Sequence, residues 1–265
     1  MDPHKIAVFA GPSLVGSPFL ELIAAVLRPP VRAGDLPALV NELDPGAQLL
    51  IIDGEFGQSQ AVTLTEIRDV AEAGFRLYGA SSMGALRAVE CAPVGMVGIG
   101  RIWADYASGR LVADDEVALT YDAESYAPFT VPLVSVRRLT ELLAGFGASH
   151  EEAALFLAEA RAVHFRERSF SCLKRIATTT LPSATAEAAH RLLRPAARRL
   201  WDAKLADAET ALTQVLSGTA PQPRTDLVPV PSEYEALLAP VEGVPPEGGP
   251  AEDAGGVLSP AGGAA

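Results

Sequence analysis

The chain has 265 residues, with 33 acidic against 21 basic side chains for a net charge of −12, 49% hydrophobic content and two cysteines. This composition is close to that of ordinary globular domains, so the chain is not disordered as a whole, and a chain of this length removes roughly 70% of its surface from water on folding. The acidity argues against nucleic acid or an anionic membrane surface as partner, since both attract proteins through phosphates, and no apolar run nears the roughly 18 residues of a membrane span.

Short β-rich runs alternate with helix-period segments over the first half. A strand is predicted over 5–10, followed by the turn Gly11-Pro12-Ser13 and a helix over 19–27. A helix over 36–43 leads to a buried strand over 48–52 that ends at Asp53-Gly54. The next helix, 64–73, is closed by Gly74 as a C-cap and precedes a strand over 75–80. Strand and helix in alternation imply a parallel sheet with right-handed crossovers, an open, mostly parallel flavodoxin-like α/β fold.

From Val136 onward the period is only helical: a helix over 136–146, then Ser149 as N-cap ahead of Glu151 and Glu152. A last helical stretch over 183–216 contains Pro195, which removes an amide donor and should divide it. The organisation expected is therefore an α/β core over 1–135, an all-α region over 136–217 and a Pro/Gly-rich tail over 218–265. That tail carries seven acids and one arginine, half of the net charge, and has too few large apolar residues to offset the entropy of ordering it. Cys91 and Cys172 have neither metal spacing nor a disulfide framework around them, and residues 1–10 lack the order of a signal peptide, so the expected location is the cytoplasm.

The most informative segment is Gly79-Ala80-Ser81-Ser82-Met83-Gly84-Ala85-Leu86-Arg87-Ala88-Val89-Glu90, a strand, a small-residue turn and a helix. Small residues flank Ser82, so the turn can be tight, and the unpaired amides at the helix start present donors to an anion or a developing oxyanion. Equally, Ser81 or Ser82 can be a plain N-cap. The turns at Gly11-Pro12-Ser13, Asp53-Gly54-Glu55 and Ala80-Ser81-Ser82 all follow predicted strands, and an open parallel sheet binds ligands outside the carboxyl ends of its strands. Arg87 has two roles open to it, reaching an anion at the Ser82 turn or pairing with Glu90 three residues on. Asp114-Asp115-Glu116 forms a dense acidic cluster that is either solvated or a source of bases. Gly95, Gly98 and Gly100 lack the strand-before, helix-after context of a dinucleotide fingerprint. A serine triad would need His150 or His164 to fold back over Ser82.

Gly79 to Glu90, Gly95-Met96-Val97-Gly98-Ile99-Gly100, Tyr106, Gly109 and Asp114-Asp115-Glu116-Val117-Ala118 together resemble the TfuA-like family, and Gly11-Pro12-Ser13-Leu14 and Asp53-Gly54 are similar to it too. The resemblance covers about residues 5–140; beyond it, Arg168 is similar to a recurring arginine. Cys91 stands where the family has leucine, and Ser135 where an asparagine usually precedes the pair Val136-Arg137.

The resemblance implies a protein that works beside a YcaO enzyme, which uses ATP to activate a peptide backbone amide so that sulfide replaces its oxygen. In that scheme the TfuA-like protein releases sulfide from the C-terminal thiocarboxylate of a ubiquitin-like sulfur-carrier protein, and the acceptor is a ribosomally made precursor peptide or, in archaeal relatives, a glycine of a methanogenesis enzyme. Hydrolysis of this kind needs a nucleophile, a grip on an anionic terminus and donors for an oxyanion. The candidate groups are Ser82, with Ser81 beside it, to attack or orient water, the amides of Met83 and Gly84 for the oxyanion, and Arg87 for the terminus. Asp53, Glu55 or Asp115 would serve as base, and Ser13, Gly79 and Asp114 would line the substrate side. No cofactor or metal is expected. The alternative is a non-catalytic adaptor or allosteric activator of YcaO; a phosphate-binding flavodoxin-like domain ranks last.

Overall fold

The computed structural model describes residues 2–57 and 60–222. The part of the tail over 223–265, expected above to be disordered, lies outside the described residues. Five strands form one parallel sheet, β1 (Ile6–Phe9), β2 (Leu27–Arg28), β3 (Gln48–Ile51), β4 (Arg76–Ala80) and β5 (Val97–Ile99), in the spatial order β2-β1-β3-β4-β5. This is the flavodoxin-like order, with its topological switch point between β1 and β3.

The strands are buried on both faces, as an all-parallel sheet requires. Ile6, Val8, Leu50, Ile52, Tyr78 and Ala80 share one face. Ala7, Phe9, Leu49, Ile51 and Leu77 share the other, which is covered by α2 (Asp35–Leu39), α3 (Leu64–Glu72) and α4 (Met83–Glu90). Helix α3 begins with a full capping box, Thr63 and Glu66 each satisfying the other's backbone N–H, and ends before Gly74 at φ +91°.

Two elements depart from the reading of the sequence. Helix α1 is confined to Phe19–Ile23, and Leu27–Arg28 pairs with Val8 and Phe9 as a strand. Val97–Ile99 is also a strand, followed by α5 (Arg101–Ala107), so the context denied to Gly98 and Gly100 is present. Those glycines nevertheless serve packing. A side chain at Gly98 would strike the Trp103 ring, and one at Gly100, φ +100°, would strike the Asp207 carboxylate.

The chain then becomes helical: α6 (Leu133–Ala144), α7 (His150–Ala162), α8 (Phe170–Thr180), α9 (Ser183–Leu192), α10 (Arg198–Trp201) and α11 (Ala203–Ser217). Ser149 and Glu152 form a capping box on α7, and a 3-10 turn at Pro195–Ala197 separates α9 from α10. Helices α6 to α9 and Trp201 build a core of their own. Helix α11 does something else, returning to the sheet so that Ala208, Ala211, Leu212 and Val215 pack on Val8, Leu50 and Tyr78. That return brings the start of α11 to the carboxyl ends of the strands, where the candidate site lies. Among the described residues no helix is long and apolar enough to cross a membrane.

Candidate functional site

The turns after β1, β3 and β4 meet. The Asp53 carboxylate accepts the backbone N–H groups of Gly11 and Ser13, both at 2.9 Å, and the Ser13 hydroxyl at 2.6 Å. It is 2% exposed. These bonds use the carboxylate to clamp the β1 turn to β3, which suits it to positioning more than to taking a proton.

Beside it, the Lys204 ammonium stands 3.6 Å from Asp53 and donates to the Val117 carbonyl at 3.1 Å. Lys204 is 3% exposed, and burial pushes its ammonium below the ordinary lysine range, opposed by the fields of Asp53 and Asp202. Ser135 holds the helix start that carries Lys204: its hydroxyl accepts the Ala203 N–H at 3.1 Å. Asp202 caps the same helix through the Leu205 N–H. The position where the family usually has asparagine is thus a support beneath the lysine.

After β4 the backbone turns sharply. Ser81 adopts φ +66°, and the Ser82 N–H closes a three-residue turn onto the Ala80 carbonyl at 2.8 Å. A non-glycine residue held there costs about 1–3 kcal/mol, and such strain persists only where neighbours over-determine it. Here the neighbours are the Lys204 carbonyl at 2.9 Å and the Ser13 hydroxyl at 3.1 Å, both bonded by the Ser81 hydroxyl. Neither serine caps α4 with its side chain, so the capping alternative is removed. Ser81 is wholly enclosed. The Ser82 hydroxyl holds no hydrogen bond among the described residues, and Ser82 lines a pocket of about 360 Å³.

The same pocket is lined by Asp53, Gly54, Glu55, Lys204 and Arg166, with Pro12, Phe56, Leu119, Tyr121 and Phe165 among its apolar and aromatic walls. Glu55 accepts the Tyr121 hydroxyl at 2.7 Å and pairs with Arg32 at 3.4 Å. Burial, then the bond to Glu55, raises the Tyr121 phenol well above its ordinary value and keeps it neutral. None of the four histidines lines the pocket.

Other residues expected at the site have other tasks. A side chain at Gly79 would strike the Gly84 carbonyl, and one at Gly84 the Ile51 carbonyl, so these two glycines let α4 lie directly on β3 and β4. The Gly84 N–H is also spent on the Ile52 carbonyl at 3.2 Å. That leaves the Met83 amide, unpaired among the described residues, as the free backbone donor at this helix start. Arg87 donates to the Val62 carbonyl at 3.0 Å and to Glu90, and does not line the pocket. Asp114 and Asp115 are exposed on a 3-10 turn and do not line it either. The buried member of that cluster is Glu116, held by two bonds from Arg137. The structure therefore brings together Ser82, Ser81, Ser13, Asp53 and Glu55, and separates Arg87, Asp114 and Asp115 from them.

Lys204, Tyr121 and Arg166 were not anticipated. For Lys204 there was a signal: it shares the helical phase of Ala208, Ala211, Leu212 and Val215, so the apolar stripe of α11 carries a lysine into the interior. Arg168, similar to a recurring arginine, is wholly buried and bonds the carbonyls of Ala160 at 2.9 Å, Val163 at 3.0 Å and Val131 at 3.5 Å. Ala160 lies in the last turn of α7, where carbonyls lack helical partners and a cation is favoured. Burial lowers the pKa of this guanidinium, opposed by the fields of Asp115 and Glu116. Burying an ion costs several kcal/mol, and here that cost fixes the turn that presents Phe165 and Arg166 to the pocket.

The fold and these groups define a flavodoxin-like α/β protein with a serine–lysine crevice beside the switch point of its sheet. Residues 53–169 match the family described as TfuA-like protein. The matched segment includes Asp53, Ser81, Ser82 and Arg168, while Ser13 and Lys204 fall outside it. No curated protein matches the chain. A TfuA-like domain associates the protein with thioamidation-related function and with protein partners in general.

Proposed function

We propose that the protein delivers sulfur to a YcaO enzyme by hydrolysing the C-terminal thiocarboxylate of a ubiquitin-like sulfur-carrier protein. The observation that carries this reading is the unbonded Ser82 hydroxyl on a pocket it shares with buried Lys204. Burial disfavours the Lys204 ammonium, so more of this lysine is neutral and able to take a proton than of an ordinary lysine.

Ser82 Oγ bonds to the acyl carbon while its proton passes to Lys204 Nζ, and the Met83 amide donates to the oxyanion that forms. The carbon–sulfur bond then breaks, sulfide leaves with the proton returned by Lys204, and an ester to Ser82 remains. Water, deprotonated by Lys204, cleaves that ester and restores the serine. Thiocarboxylate and water have become carboxylate and hydrogen sulfide, with no redox partner. Asp53 holds Lys204 in place, and Ser13 and Ser81 complete the bonded network behind it.

The test is sulfide release from purified thiocarboxylated carrier, without YcaO or ATP. Ser82→Ala and Lys204→Met are each expected to lower the rate by about 100- to 10,000-fold, the range of a lost nucleophile or base. The rate should also fall as pH drops through the depressed lysine pKa. Undiminished sulfide release by both variants would remove the roles given to Ser82 and Lys204, whereas no release by the wild-type protein alone, together with stimulation of YcaO by it, would establish the adaptor.

A further inference from the structure

We infer that Arg166 is the residue that selects an anionic chain terminus for the Ser82 pocket, an inference that rests on the sulfur-carrier reading above. Four charged side chains line the pocket: Asp53, Glu55, Arg166 and Lys204. Lys204 and Asp53 answer each other at 3.6 Å. Glu55 is met by the Tyr121 hydroxyl and by Arg32. Among the described residues, Arg166 alone of the four has neither an ion pair nor a side-chain hydrogen bond.

Its presentation is constructed. The Glu167 N–H bonds the His164 carbonyl at 2.9 Å and the Ser169 N–H bonds the Glu167 carbonyl at 2.7 Å, closing the turn on both sides of Arg166. Arg168 sinks its guanidinium beneath that turn, and its own carbonyl accepts the Val131 N–H at 2.9 Å. The Arg166 guanidinium carbon lies 5.6 Å from the centre of the Phe165 ring, a cation–π distance that rests the planar group on an aromatic face and leaves its N–H edges available. A fork of N–H donors on an aromatic platform is the geometry that grips a carboxylate with two bonds. The other candidates for this grip are engaged elsewhere, Arg87 with Val62 and Glu90, and Lys204 with Asp53 and Val117.

The occupant is a terminal carboxylate or thiocarboxylate on the carrier. Its charge would be drawn in and oriented by Arg166, with the acyl carbon further in, toward Ser82. Arg166 meets the charged terminus as it enters, so its loss bears first on KM.

The test compares binding of carrier ending in a free carboxylate with the same carrier ending in an amide, and repeats the pair with precursor peptide. Wild-type protein is expected to prefer the carboxylate carrier by about tenfold, and Arg166→Ala to lose that preference while Arg166→Lys keeps part of it. In sulfide release Arg166→Ala should lower kcat/KM by about tenfold, chiefly through KM. Equal binding of both carriers by the wild type, retained discrimination in Arg166→Ala, or discrimination confined to the precursor peptide overturns the assignment. Ser82→Ala, run in parallel, decides the hydrolase reading separately, because the binding comparison requires no turnover.

Discussion

Among the described residues two cations are buried, and they are treated differently. Arg168 is surrounded by carbonyls from three segments and has no carboxylate within ion-pair distance among the described residues, whereas Lys204 faces the Asp53 carboxylate across 3.6 Å and donates to one carbonyl. A guanidinium cannot give up its proton, so burial can only make it a fixed cross-link. An ammonium in the same circumstances can escape its desolvation by becoming neutral, which leaves a lone pair free to accept a proton. The one type of residue ties down the turn at the pocket's lip, and the other, in the mechanism proposed above, supplies a proton acceptor within it.

Exchanging the two residue types would break this comparison most severely. In Lys204→Arg the charge stays but the transferable proton is lost, and sulfide release should fall by about 100- to 10,000-fold. In Arg168→Lys the charge also stays, but one ammonium cannot span the carbonyls of Ala160, Val163 and Val131. At least one buried carbonyl is left bare, and stability in urea should fall by about 2 kcal/mol. If Lys204→Arg retained full activity, or Arg168→Lys full stability, the division of labour between the two cations would be wrong.

A buried carboxylate sharpens the same point on a smaller scale. Asp207, one turn beyond Lys204 on α11, accepts the Ile102 N–H at 2.7 Å, and burial raises its pKa to about 6. In the unfolded chain an aspartate titrates near pH 4, at roughly 3.9. Between those two values the native form keeps a proton that the unfolded chain has lost, so stability falls as pH rises through the window, and the whole cost remains above it. Asp207→Asn keeps an acceptor for Ile102 without the charge. Urea unfolding should find it more stable than the wild type by about 1–2 kcal/mol at pH 7, with the difference gone by pH 4. A difference that does not change with pH would show that ionisation of Asp207 is not its source.

Much of this was legible in the residues, for identifiable reasons. The turns after β1, β3 and β4 contain glycine, proline and serine after apolar runs, and once the sheet is parallel their convergence follows from topology. Leu27–Arg28 and Val97–Ile99 were missed because strands of two and three residues are too short to show a period and exist through pairing with β1 and β4. Lys204 was missed because it bonds to the Ser81 turn across 123 residues of chain, although its place on the apolar stripe of α11 marked it as buried. Arg168 was marked only as similar to a recurring arginine; nothing local shows that three carbonyls wait for it.

The smallest expected effect bears on Arg87 and Asp115, two charged residues of the TfuA-like motifs that lie away from the crevice. On α4, Ser82 precedes the first turn and faces the pocket, while Arg87 bonds the Val62 carbonyl and an acid three residues along its own helix. A pair of that spacing contributes a few tenths of a kcal/mol. Arg87→Gln should therefore lower stability by less than about 1 kcal/mol, the loss including its bond to Val62, and leave kcat and KM for sulfide release unchanged. Asp115→Asn should change neither stability nor kinetics, because the carboxylate is solvated and the structural acid of its cluster is Glu116, bound to Arg137. A tenfold rise in KM for Arg87→Gln would move the anionic terminus from the lip at Arg166 to the outer face of α4, and a fall in kcat for Asp115→Asn would restore an acid to the chemistry that the geometry assigns to Ser82 and Lys204.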